Sequence, residues 1–143
     1  MNMFIASFMF IGLFAVSLAH LLWAFGRTWP IRNEKLLAQT VVGFRDIDRM
    51  PPRLASLGVA IATFTAGVFA LALADHDSGG FWLNAVGVLL ALVFLARGIA
   101  GYTPWWASIT PEPNFRLNDR RVYSPLCLFL GLGFLLLIYF RFT

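Results

Sequence analysis

Apolar positions run nearly unbroken through four stretches of this chain, roughly Met3–Phe25, Leu54–Ala74, Phe81–Ala100 and Val122–Phe140, and polar residues collect between them. Each stretch is close to the ~20 residues that a helix needs to cross a hydrocarbon core of ~30 Å. None alternates strictly, as a barrel strand would. Backbone groups in lipid must be bonded within their own segment or in a closed barrel, so these runs predict helices. The pattern is that of an all-α integral membrane protein, a four-helix up-down bundle, with residues 1–143 forming a single four-span transmembrane domain.

The linkers add a finer layer. Asn33 can cap a helix that starts at Glu34, and Leu36, Leu37, Val41, Val42 and Phe44 fall largely on one side of it. This predicts a short amphipathic helix within Asn33–Gly43, lying in the membrane interface. Pro51-Pro52 ends that linker and opens the second span, and Pro125 plays the same part in the fourth. The turn Asp75–Gly80 is short, so the second and third spans form a tight hairpin, with Ser78 as a candidate N-cap of the third. Phe81-Trp82, Trp29 and Trp105-Trp106 suit interfacial anchors. Ser17-Leu18-Ala19 has the small-x-small form of a signal-peptide cleavage site. The run continues through Leu21-Leu22-Trp23, however, and Met1-Asn2-Met3 has no basic residue, so a retained span is expected.

In lipid, helices associate through small residues that permit close approach. The second run has Gly58, Ala62, Ala66, Ala70 and Ala74 at a spacing of four, and the third has Asn84, Gly87, Ala91, Gly98 and Gly101. Joined by a tight turn, these two seams are expected to meet. Gly131 and Gly133 of the fourth run would then accept a bulky neighbour such as Phe14 or Trp23. A faint echo links Gly26-Arg27-Thr28-Trp29-Pro30 with Gly101-Tyr102-Thr103-Pro104-Trp105, either a duplicated hairpin or two independent membrane-exit turns.

Charge orients the bundle. The 26–53 linker holds Arg27, Arg32, Lys35, Arg45, Arg49 and Arg53, and the 101–121 linker holds Arg116, Arg120 and Arg121. The short turn holds only Asp75 and Asp77 besides His76. Basic residues mark cytoplasmic loops, so linkers 26–53 and 101–121 are expected in the cytoplasm, with both termini outside the cell membrane. Arg141 is the one dissenting charge. The net charge of +4 follows from these membrane-flanking residues and, without a basic groove or RNA-binding motif, does not imply nucleic acid.

The remaining residues exclude several chemistries. Cys127 is the single cysteine, so neither an internal disulfide nor a CxxC redox pair can form. His20 and His76 lie toward opposite ends and cannot bracket one haem. No carboxylate lies deep in a span, which argues against ion-coupled transport. Asp75-His76-Asp77 suits a solvated turn better than a metal site, because adjacent residues rarely converge on one ion. No metal or cofactor is expected.

The polar groups gather instead at one depth: His20 and Trp23 near the inner end of the first span, Arg97 one turn before the end of the third, and Asp119, Tyr123 and Cys127 around the start of the fourth. A guanidinium inside a span is costly unless it reaches water, phosphate or a carboxylate, so Arg97 is expected to pair with Asp119. Each residue also has a plain structural role open to it. His20 can bond a carbonyl, Cys127 can serve as a small apolar side chain, and Asp119 can complement a helix dipole.

Asn118 to Leu128, His20-Leu21-Leu22-Trp23-Ala24-Phe25-Gly26 with Trp29-Pro30, and Leu37-Ala38 with Val41-Val42-Gly43 together resemble the bacterial small membrane proteins grouped as domain-of-unknown-function family 3995. The resemblance spans nearly the whole chain. It implies four helices and an integral membrane location, and makes His20, Trp23, Asp119, Tyr123 and Cys127 part of a family pattern. It implies no activity. Three roles stay open: a protein that binds a lipid or lipophilic small molecule in an inner-leaflet cavity, an enzyme using His20 as acid or base with Tyr123 or Asp119 as partner, and a structural partner of other spans.

Overall fold

The computed structural model describes residues 1–77 and 79–143. Among them there are seven α-helices and no strand: α1 (Asn2–Ala24), α2 (Glu34–Val41), α3 (Arg53–Ala74), α4 (Gly80–Ala100), α5 (Pro104–Ile109), α6 (Pro113–Asn118) and α7 (Ser124–Arg141). A π-helical turn, Asp119–Tyr123, joins α6 to α7 without a break. Four helical stretches are long and apolar enough to cross a membrane: α1, α3, α4 and the continuous Pro113–Arg141. The protein is a multi-pass membrane protein built as a helical bundle.

The helices run up and down. At one end Asn2 Nδ2 lies 2.9 Å from His76 Nε2, which ties the start of α1 to the turn after α3. At the same end Arg141 of α7 donates from Nε to Asn84 Oδ1 at 2.7 Å, and from Nη1 to the Asp75 carbonyl at 2.6 Å. Arg141, the dissenting charge, thus occupies the C-terminal end of α3, where carbonyls lack helical partners and a cation is favoured. Ser78 lies outside the described residues. Gly79, in the left-handed region at φ 74°, caps α4.

Helix pairing differs from the expected hairpin of seams. α1 packs most extensively along α3, and α4 along α7, while α3 and α4 touch far less. The glycines show why. Gly67 of α3 receives Phe10 and Leu13 of α1; Gly98 of α4 receives Leu128 of α7, and Gly131 of α7 receives Leu95 of α4. Bulky side chains of α1 and α7 occupy most of the grooves that α3 and α4 would otherwise have offered to each other, and the two helices meet at Gly87, which receives Leu73 of α3. Gly58 and Ala62, assigned to the α3 seam, are exposed. Gly133 accepts Met9 instead of Phe14 or Trp23, so α1 and α7 meet across the bundle. The Ser17 hydroxyl adds polar glue, donating to the Ala60 carbonyl at 2.7 Å between α1 and α3. Met9, Leu13, Leu73, Leu130, Phe134 and Leu137 form the centre of the core.

The fourth span also begins earlier than its apolar run. Helix starts at Pro113, and Pro125 sits inside it. An internal proline lacks an N–H and crowds the carbonyl four residues back, here Arg121. The π turn opens the ladder at that place: the Ser124 N–H reaches the Asp119 carbonyl, five residues back.

Candidate functional site

The two long linkers fold onto each other at the basic end of the bundle. Asn33 Oδ1 accepts the Leu36 N–H at 3.0 Å and starts α2 where the sequence predicts. The apolar face of α2 turns toward protein rather than lipid: Leu37 and Ala38 are fully buried and α2 packs on α6. The reason lies at Gly43 (φ 77°), where the chain turns and the Phe115 ring fills the space a Cβ would take. Gly43 O accepts the Glu112 N–H at 3.4 Å. Tyr123 donates to the Thr40 carbonyl at 3.3 Å. Tyr123 therefore joins the start of α7 to the other linker.

Beneath this cover lies a buried ion pair. Arg97 Nη2 and Asp119 Oδ1 are 2.7 Å apart, as the sequence predicts, and Asp119 is completely buried. Its oxygens are filled by two more donors, the Ser124 hydroxyl at 3.1 Å to Oδ1 and the Trp106 indole N–H at 3.0 Å to Oδ2. The Arg97 guanidinium lies 4.6 Å above the Trp106 ring, a cation–π contact, and its Nη1 reaches the Ser124 hydroxyl at 3.4 Å. Gly101 leaves the room: a Cβ there would overlap the Ser124 hydroxyl. A buried charge of this kind is tolerable only when paired and fully hydrogen-bonded, and here it is. Trp106 and Ser124 complete the network: Ser124 is placed at this depth by its position at the start of the fourth span, whereas the sequence position of Trp106 suits only an interfacial anchor. Ser124 reaches Asp119 only through the π turn, which a 3.6-residue period does not describe.

His20 and Trp23 stand apart from this pair, on the α1–α3 side. The rings of His20 and Trp23 meet edge to face at 4.7 Å, and the Trp23 indole donates to the Trp29 carbonyl at 2.7 Å. His20 Nδ1 bonds the Val16 carbonyl at 2.9 Å. A carbonyl only accepts, so Nδ1 carries the proton and a neutral His20 keeps Nε2 as an acceptor. Asp119 is committed to Arg97, Ser124 and Trp106, and Tyr123 to Thr40, so neither is the hydrogen-bond partner of His20. Cys127 is half-buried and free.

Beside His20 the bundle is open. A cleft of ≈ 150 Å³ lies between α1, α3 and the end of α2, lined by His20, Trp23, Val42, Ala55, Ser56 and Val59 among others. Trp23, Met50 and Pro51 are shared with a second hollow of ≈ 280 Å³, whose walls include Arg27, Glu34 and Arg53. The first is mainly apolar, while the second brings charge. Both lie where α1 ends and α3 begins.

The family model described as "Protein of unknown function (DUF3995)" matches residues 13–134, a stretch holding every residue of the ion-pair network and of both clefts. No curated protein and no solved structure matches the chain.

Proposed function

We propose that this chain, which belongs to the DUF3995 family of proteins of unknown function, holds a lipid or lipophilic small molecule in the cleft beside His20. The observation that carries this reading is the apolar ≈ 150 Å³ cleft at the end of the spans, with one ring nitrogen of His20 uncommitted among the described residues. Ligand sites are mainly apolar hollows with a few placed polar groups, and this one has that composition. An apolar cavity of ~150 Å³ holds a benzene-sized group, so the cleft takes part of an amphiphile while the rest stays in the bilayer. The linkers 26–53 and 101–121, with the clefts, face the cytoplasm; both termini lie outside the cell membrane. Residues 1–143 act as one domain.

Native mass spectrometry of gently extracted protein tests the binding role. A retained lipid is expected on the wild type. Ala55→Trp fills the cleft from an exposed position and should remove the adduct while leaving the melting temperature in detergent unchanged. His20→Ala should weaken retention by up to about tenfold, the worth of one hydrogen bond of ~0.5–1.5 kcal/mol. A wild type that retains no lipid, or an Ala55→Trp variant that retains it fully, overturns the proposal.

A further inference from the structure

The second hollow gives the chemistry of the ligand's polar end. It is lined by Arg27, just past α1, and by Arg53, the first residue of α3. The guanidinium of Arg53 is seated rather than free-hanging. It lies against Gly26, close to where a Cβ would be, and Gly26 itself sits at φ 76°. Any other residue at position 26 would push Arg53 away and strain the turn. Neither Arg27 nor Arg53 has a carboxylate within salt-bridge distance among the described residues. Glu34 is the one carboxylate in the wall, and its Oε1 accepts the Met50 N–H at 3.2 Å. The α3 helix also opens here without an acidic residue in its first turn and without a side-chain cap on Pro52. Two guanidinium groups without a carboxylate partner and the positive end of a 22-residue helix therefore converge on a hollow that shares Trp23, Met50 and Pro51 with the apolar one.

We propose that the ligand is an anionic amphiphile carrying a phosphate head. Arg27 and Arg53 hold the phosphate in the outer hollow, and the His20 cleft takes the first apolar atoms behind it. This rests on the binding role proposed above and names the class of ligand. The depth fits, because both arginines stand just where the apolar spans end, the level of lipid headgroups. The apolar inner cleft is what distinguishes an amphiphile from a free phosphate ion, which would have no use for it.

The test offers the purified protein equal amounts of phosphatidic acid and phosphatidylcholine with the same acyl chains, in neutral detergent, with retention read by native mass spectrometry. The wild type should retain phosphatidic acid about tenfold better, the scale of a charge-assisted hydrogen bond. Arg27→Gln with Arg53→Gln should bring the two lipids level. Arg27→Gln alone, at an exposed position, should lower the preference about threefold without disturbing the fold. Arg120→Gln with Arg121→Gln, exposed arginines at the same end, should leave the preference intact; a loss equal to that of the Arg27/Arg53 pair would trace it to general surface charge and overturn the site. Millimolar inorganic phosphate should not displace phosphatidic acid, and displacement would overturn the amphiphile in favour of a free-anion site. Equal retention of both lipids by the wild type overturns the anionic head, because phosphatidylcholine carries its phosphate without net charge, while leaving the binding role standing. Retention of neither sinks the binding role itself.

Discussion

The Arg97–Asp119 pair shows how a single residue sets what its neighbours must be. Asp119 is fully buried, and its stability depends on three donors from three different elements: Arg97 of α4, Trp106 of α5 and Ser124 of α7. Arg97→Ala would leave the carboxylate buried with two neutral donors and should cost about 3–5 kcal/mol. In detergent this is expected as a melting temperature lower by roughly 2–4 °C per kcal/mol. Arg97→Lys should recover only part of the loss. A lysine keeps the charge but has neither the planar fork nor the flat face that stacks on Trp106. A wild-type melting curve for Arg97→Ala would show the pair to be dispensable, and one for Arg97→Lys would show that the charge alone suffices. The pairing itself was legible in the sequence, because an arginine inside an apolar helix needs a counter-charge at its own depth. Trp106 was legible only as an interfacial anchor, since nothing in a linear sequence tells an indole facing headgroups from one facing a carboxylate.

At the scale of elements, the helices divide by what specifies them. The four long ones follow from hydrophobic length alone. The short α2 follows from Asn33 and the residues after it, and its cap is formed. Its docking on α6 did not follow, because Gly43 and Phe115 are far apart in sequence and their contact is a matter of tertiary fit. Gly43→Ala should therefore act as a probe of that docking. The added methyl meets both the φ of 77° and the Phe115 ring, so a loss of about 1–2 kcal/mol from backbone strain is a lower bound. Hydrogen exchange should show faster amide exchange over residues 34–41 with α3 and α4 unaffected. Unchanged protection there would mean that α2 is held by its cap and not by α6. The π turn has a similar lesson: proline at 125 read as a helix start, whereas the chain keeps its helix and widens one turn around it.

For the whole molecule, the strongest sequence signal beyond the spans is the placement of basic residues. The proposed orientation is checked by Arg45→Cys on a Cys127→Ser background, which should react with a membrane-impermeant thiol reagent only after the inner face is exposed. Labelling in intact cells from outside would reverse the orientation. Which helices pair was not legible. Small residues at a spacing of four announce close packing but carry no address: the seams of α3 and α4 suit each other in sequence, whereas their main partners are α1 and α7. The candidate site was legible as a depth and not as a place. His20 and Trp23 share the α1–α3 side with the clefts, while Arg97 and Asp119 brace the other pair.

That pairing has a consequence for how the protein is made. Each main partnership joins a helix to the next long one in the chain: α1 to α3, then α4 to α7. Chains leave the ribosome from the N-terminus, and units generally fold in that order. The first pair can close, Ser17 against the Ala60 carbonyl and Gly67 against Phe10, before α4 has been synthesised. Biogenesis then needs one late docking of two finished halves instead of a search among four separate helices, with Met9 on Gly133 as a seal between them.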